Sequence, residues 1–147
     1  MHQFFLGISI GVAATACMTA WELIFYRRFG LEGCLDWDIN QHLLERLNGK
    51  PASANLIEGL GLHILVGAAV GAAFSEVVHR VSAHDALSAL GLGAVLGVAL
   101  WLFLLPLRRI ATGLGPMDGR LGGLPILISL VGHLIYGVML GALIGKV

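Results

Sequence analysis

The chain has 147 residues, of which 57% are hydrophobic and 12% are charged. Soluble domains carry about 25% charged residues, and the mean hydropathy of this chain is +0.87. The composition therefore predicts one integral membrane domain covering residues 1–147. The formal net charge is zero, which excludes the basic footprint of a nucleic-acid-binding protein.

Four segments are apolar and long enough to cross a bilayer, which takes roughly 20 mostly apolar residues. They cover approximately residues 3–25, 56–78, 85–107 and 124–145. Backbone groups cannot stay unpaired in lipid, so we expect an all-α bundle of four transmembrane helices. Ser82 and Asp85 form an S-x-x-D capping signal ahead of the third helix. Pro125 is tolerated in the first turn of the fourth helix.

A short amphipathic segment, "DWDINQHLLERLNGKP", lies between the first and second spans. Asp38 is the candidate N-cap, and Gln41 stands at the capping-box position. The apolar side of the helical wheel holds Trp37, Ile39, Leu43, Leu44 and Leu47. The polar side holds Asp38, Gln41, His42 and Glu45. We expect an interfacial helix on the cytoplasmic leaflet with Trp37 at headgroup level. The alternative is a lid or partner-docking helix.

The distribution of basic residues predicts the orientation of the chain. The first and third loops hold Arg27, Arg28, Arg46, Lys50, Arg108, Arg109 and Arg120. The opposite side holds only Arg80 and Lys146. Cytoplasmic loops carry the excess of Lys and Arg. We therefore expect a multi-pass protein of the inner or plasma membrane with both termini on the non-cytoplasmic side.

The two halves of the chain share a pattern that predicts a parallel repeat of one helical hairpin. Repeat one covers about 3–80 and repeat two about 85–147. "GISIGVA" in the first span corresponds to "GAVLGVA" in the third, and the second and fourth spans each carry His-x3-Gly-x3-Gly. Small residues at four-residue spacing let helix backbones approach closely in lipid. The predicted packing positions are Gly7, Gly11, Gly67, Gly71, Gly93, Gly97, Gly137 and Gly141.

Polar side chains inside the spans form a candidate intramembrane polar site. The candidates are His63, His133, Glu22, Thr15 and Thr19. An ionisable residue within a span is costly to bury and is a functional-site hypothesis by default. The structural alternative is that each histidine only donates a hydrogen bond to a neighbouring helix. We expect the two rings to point inward at equal depth, to lie well apart and to have separate partners.

Several short motifs resemble those of a family of small four-helix bacterial and archaeal integral membrane proteins of unknown function. The motifs are "GVAATACMT", H-x3-G-x3-GA, W-x4-P at Trp101 and Pro106, and "GHLIYGVMLGA". The resemblance covers nearly the whole chain. It implies a four-helix topology and an importance of His63 and His133, and it implies no substrate and no mechanism.

The sequence holds no Ser/His/Asp order, HExxH, Walker loop or CxxC motif, so we expect no enzyme and no cofactor. The leading hypothesis is a non-catalytic accessory or structural membrane subunit. Its expected partners are the lipid bilayer and either a second copy or another membrane subunit, without nucleic acid. One alternative is a haem b or metal-binding protein that uses His63 and His133. Another is a small transporter or proton pathway involving Glu22.

Overall fold

The computed structural model describes residues 2–29, 35–81, 85–115, 117–118 and 121–146; for Ala86 it describes the backbone only. The helices are α1 (His2–Phe29), α2 (Asp36–Asn48), α3 (Leu56–Arg80), α4 (Ala86–Thr112) and α5 (Leu124–Ile144), and a 3₁₀ turn (Ala52–Asn55) precedes α3. The helices α1, α3, α4 and α5 are long and apolar enough to cross a membrane. Every element in the described residues is therefore a helix, and the four long helices fit a multi-pass membrane protein.

The helix α4 differs most from its predicted bounds, because it continues to Thr112 rather than ending near residue 107. Pro106 lies inside the helix without ending it, and Gly113, with a φ of 77°, forms the C-cap. At the other end the N-cap is Asp85 rather than Ser82, which lies outside the described residues. The Asp85 side chain accepts a 2.8 Å hydrogen bond from the Ser88 N–H, and hydrogen bonding from the side chain and the backbone of Ser88 lowers the pKa of Asp85.

The four long helices form an open row in the order α3, α1, α5, α4. The helix α1 packs along α3, α4 packs along α5, and the α1–α5 contact joins the two pairs. Among the described helices, α3 and α4 do not pack against each other along their length. The short helix α2 contacts both α3 and α4 and bridges the gap between them at one end of the bundle. Arg46 Nε fixes this bridge by donating a 2.8 Å hydrogen bond to the Ala111 carbonyl of α4.

Glycines allow the backbones of α1 and α3 to touch. A Cβ built at Gly7 would lie 2.6 Å from the carbonyl oxygen of Gly71, closer than real Cβ contacts occur. A Cβ at Gly11 would overlap the carbonyl oxygen of Gly67. Any side chain at these positions would push the two helices apart.

The α4–α5 contact is built in the same way with a different register from the one the sequence suggests. Gly93 faces Gly137, and Gly97 faces the carbonyl oxygen of His133. Gly11 contacts the residue four positions after His63, and Gly93 contacts the residue four positions after His133, so the structure makes Gly93 the counterpart of Gly11. The repeated sequence strings instead align Gly97 with Gly11. Small residues recur every four positions, so matching strings do not fix which turn makes the contact.

The helix α2 is not placed as the amphipathic pattern predicts. It begins at Asp36 with Leu35 as its N-cap, so Asp38 lies in the first turn and is not the cap. Asp38 and Gln41, assigned to the polar side of the wheel, are buried, and Leu47, assigned to the apolar side, is 83% exposed. The wheel predicts one buried face, whereas the N-terminal half of α2 is enclosed by the bundle and its C-terminal end projects out.

Trp37 shows most clearly that the N-terminal half of α2 is enclosed. Its side chain is only 7% exposed, and its ring meets the Tyr26 ring of α1 at a centroid distance of 5.4 Å. Its ring is therefore covered by protein rather than exposed to lipid head groups. On the other side, Gly59 of α3 lies so close to α2 that a Cβ there would be 2.7 Å from Gln41 Cγ.

Candidate functional site

Polar side chains from four helices converge beneath the N-terminal half of α2. Glu22 of α1 is 0% exposed, Asp36 of α2 is 5% exposed, His63 of α3 is 8% exposed, and His133 of α5 is 6% exposed. Isolated charges are expensive to bury, and buried polar groups need hydrogen-bond partners. The contacts of each group therefore indicate what the site can do.

The positions of the hydrogen atoms on His133 follow from its partners. Its Nδ1 lies 2.9 Å from the carbonyl oxygen of Ser129, which can only accept, so Nδ1 carries a hydrogen. Its Nε2 lies 3.4 Å from Oδ2 of Asp36. The ring of His133 therefore lies between two protein groups, the Ser129 carbonyl and the Asp36 carboxyl group.

The ring of His63 is oriented by the Thr19 hydroxyl of α1. The Thr19 hydroxyl donates to the Thr15 carbonyl at 2.9 Å, and Thr19 Oγ1 lies 3.1 Å from His63 Nε2. A hydroxyl has one hydrogen, so both hydrogen bonds form only when His63 Nε2–H donates to Thr19. In the neutral ring Nδ1 then carries a lone pair, and no described residue offers this atom a hydrogen bond.

Glu22 is the least compensated group in the site. Neither carboxyl oxygen has a hydrogen-bond partner among the described residues. The carboxyl group and backbone N–H of Asp36 lie close enough to interact with it electrostatically. Gly132 leaves room for the side chain, since a Cβ there would lie 3.3 Å from Glu22 Oε1. Burial of an unpaired carboxylate is costly, so a proton or another cation must accompany Glu22.

A cavity of about 230 Å³ adjoins these groups, in the gap between α3 and α4. Its polar lining consists of Thr15, Asp36, Asn40, His63, His133 and Tyr136. Its apolar wall includes Val66 of α3 and Phe103 and Leu104 of α4. Val66 is 51% exposed and Phe103 is 70% exposed, so the apolar side of the cavity reaches the outer surface of the bundle. In a bilayer that surface faces lipid.

The structure brings together the candidates that the sequence proposed. Thr15 and Thr19 orient His63, while Glu22 lies beside Asp36. The two histidines have separate hydrogen-bond partners, as expected, and both line the same cavity. The sequence predicts that the two rings lie well apart, whereas in the structure both line one cavity and belong to a common site. Among the described residues, no group of three His, Cys, Asp or Glu side chains is arranged to hold a metal ion.

Sequence reasoning missed Asp36, Asn40 and Tyr136. Asp36 lies in a loop segment outside the predicted spans, and no local pattern shows that this segment returns to the bundle. A weak signal was available, because Asp36 and Asp38 both lie in the first turn of α2 and one acidic residue is enough to favour a helix N-terminus. Tyr136 lies within "HLIYG" and reads as an ordinary apolar-face aromatic residue.

Comparisons of the chain with protein-family models, with curated proteins and with solved structures gave no match.

Proposed function

We propose that this chain is a non-catalytic membrane protein that binds a lipophilic ligand in the cavity between α3 and α4. The observation that carries the proposal is the shape and polarity of that cavity. Its inner end presents Asp36, His63 and His133, and its apolar wall reaches the outer surface of the bundle. Ligand sites in proteins combine an apolar surface with a few convergent polar groups in this way.

A cavity whose apolar wall reaches the outer surface of the bundle fits binding better than transport. On the far side of the cavity the helices are in backbone contact at Gly7 and Gly71, and the core there is apolar, with Phe74 and Leu140 among its buried residues. A proton pathway through Glu22 needs further polar groups in that half of the bundle. The tight packing of the far half supports a site with one entrance.

The haem alternative fits the cavity poorly. A bis-histidine haem needs a free nitrogen on each ring directed at the iron. Both nitrogens of His133 face protein acceptors, and His63 Nε2 is bound to Thr19. The cavity of about 230 Å³ is also smaller than the roughly 300–1,000 Å³ that drug-sized ligands occupy. A smaller ligand, or the head group of a longer one, matches this space.

The experiment fills the cavity without changing its polar groups. Leu104→Trp places a bulky ring in the cavity wall, and Leu102→Trp is the matched control because Leu102 is 54% exposed and does not line this cavity. Each variant is purified in mild detergent, and its lipophilic extract is analysed by mass spectrometry. We expect a compound that is retained by the native chain and by Leu102→Trp and is lost from Leu104→Trp. Identical extracts from all three proteins would contradict the proposal.

A second candidate role is that of an accessory subunit that associates with another copy or another membrane protein. It is supported by a shallow groove on the outer surface of α1 and α3, lined by Phe4, Ile8 and small residues including Ala68 and Ala69. Small residues allow close approach of a further helix in lipid. Ala69→Trp should then shift the protein to a smaller assembly in detergent, measured by light scattering. An unchanged mass would exclude this groove as the contact.

We infer that the end bearing α2 faces the cytoplasm. The α2 helix and the α4 C-terminus meet at this end, as the Arg46–Ala111 contact shows, and the basic loops are concentrated there. The positive-inside rule then places both termini on the other side of the inner or plasma membrane.

A further inference from the structure

The hydrogen-bond donors of the cavity lining are already occupied by protein acceptors. The Tyr136 hydroxyl donates to the Gly67 carbonyl at 2.7 Å. The Thr15 hydroxyl donates to the Gly11 carbonyl at 2.8 Å. The Nε2–H of His63 is directed at Thr19, as its geometry requires. Each of these bonds fixes where the hydrogen points, and none of them points into the open space.

What remains free to contact a ligand consists of acceptors. His63 offers the lone pair of Nδ1, and the Thr15 and Tyr136 oxygens keep lone pairs after donating. Asp36 offers its carboxyl group, which lies at the polar end of the cavity. Asn40 is the exception, because its amide has two N–H groups and only one reaches Gly59, at 3.5 Å. A ligand that fills this space must therefore supply donors.

The charges of the site favour a cation. Asp36 is an acidic group in the cavity lining, and the buried carboxyl group of Glu22 lies close to it. Among the described residues, no lysine or arginine lines the cavity. A positively charged group that enters the cavity meets acidic groups without a competing fixed cation.

We propose that the ligand is a lipophilic amine whose protonated nitrogen donates N–H hydrogen bonds to Asp36 and to Nδ1 of His63. This inference rests on the proposed binding function and specifies the ligand class. The apolar part of the amine lies against Phe103 and Leu104 and leaves through the gap between α3 and α4. Anionic head groups are repelled by the carboxyl groups, and carbonyl-only heads such as quinones offer no donor. A quaternary ammonium carries the charge without an N–H, which makes it the sharpest comparison.

The first test compares dodecyl probes that differ only in the head group. The native chain is placed in phosphatidylcholine nanodiscs, and its Tm is measured with dodecylamine, dodecyltrimethylammonium, dodecanol or dodecanoate. Ligands that bind the folded state raise Tm. We expect dodecylamine to raise Tm by several degrees and the other three to leave it within the error. An equal shift with dodecyltrimethylammonium would overturn the role of the N–H donors, and an equal shift with dodecanol would overturn the role of the charge.

The second test locates the binding. Asp36→Asn should weaken dodecylamine binding at least tenfold, whereas Glu76→Gln should leave it unchanged, because Glu76 is outside this cavity and is paired with Arg80 on the α3 surface. If Asp36→Asn does not fold, His63→Phe removes the other acceptor and should weaken binding in the same direction. Full affinity in the variant that folds would overturn the assignment of the head-group site.

Hexylamine, added from water, distinguishes a soluble amine ligand from an amine ligand that is carried by the membrane. Binding of hexylamine with a similar Tm shift indicates a small soluble amine, whereas binding of dodecylamine alone indicates a membrane-borne one. Both outcomes keep the amine head group. If dodecanol binds and Leu104→Trp abolishes that binding, the amine inference fails while the proposed binding function stands. If no probe gives a shift that depends on Leu104, the binding function fails as well.

Discussion

The two ends of the bundle are built on opposite principles. At the end remote from α2, glycines bring helix backbones into contact, as at Gly7 with Gly71 and at Gly93 with Gly137. At the α2 end, α3 and α4 stand apart, and the space between them holds buried acids, imidazoles and a cavity. In lipid, close packing is the main source of helix association. The tightly packed end therefore stabilises the bundle, and this stability offsets the cost of the buried polar groups at the α2 end. Substitutions at the two ends should therefore have different consequences.

The largest effect is expected at the tightly packed end, from Gly137→Leu. A leucine side chain would collide with the backbone of Gly93, and relief requires the separation of α4 from α5. We expect a loss of about 3 kcal/mol or more in the free energy of unfolding. Val138→Leu is the matched control, because Val138 is 40% exposed. Equal stability of the two variants in thermal unfolding would show that the glycine contact does not hold the helices together.

At the polar end, Glu22→Met should raise the free energy of unfolding rather than lower it. The native carboxyl group is fully buried without a hydrogen bond in the described part of the chain, and an apolar side chain of similar length removes that cost. We expect a gain of about 1–2 kcal/mol in the free energy of unfolding, accompanied by weaker amine binding. Loss of stability in this variant would mean that Glu22 is structurally compensated, which would weaken the contrast between the two ends.

A smaller effect is expected where the two ends meet, from Tyr136→Phe. This change removes the hydroxyl that donates to the Gly67 carbonyl and leaves the ring in place. We expect a loss of about 1 kcal/mol, typical of one hydrogen bond. The change in Tm is the measurement. A loss as large as that of Gly137→Leu would indicate that the hydroxyl supports the whole bundle rather than one contact.

The substitutions that test the orientation of the chain should not change its stability. In a chain with Cys17 and Cys34 replaced by alanine, single cysteines are introduced at Val81 and Met117, which are 57% and 71% exposed. An impermeant thiol reagent added to intact cells should label Val81→Cys and not Met117→Cys. Labelling of both positions from outside would contradict the placement of the α2 end in the cytoplasm.

The contrast between the two ends also explains what the sequence could predict. Continuous apolar runs identify the four long helices, because a bilayer requires one length and one composition at every span. Single ionisable residues within those runs identify His63, His133 and Glu22 as candidates, because their burial needs a reason. Asp36 could not be found in this way, since its burial depends on how α2 folds back over the gap. This is a tertiary arrangement, and no repeating pattern in the local sequence indicates it.

The register of the helix pairs escaped prediction for a related reason. Gly93 and Gly97 both belong to the same run of small residues, and either could face Gly137 without a change in local pattern. Only the full set of contacts along α5 selects between them.

The order in which the chain is synthesised gives the polar site a particular history. Along the chain, α1 and α3 precede α5, so Glu22 and Asp36 are synthesised before His133, the partner of Asp36. Until α5 inserts, these two acidic side chains are without the imidazole that contacts Asp36. Insertion of α5 is therefore the step that completes the polar site.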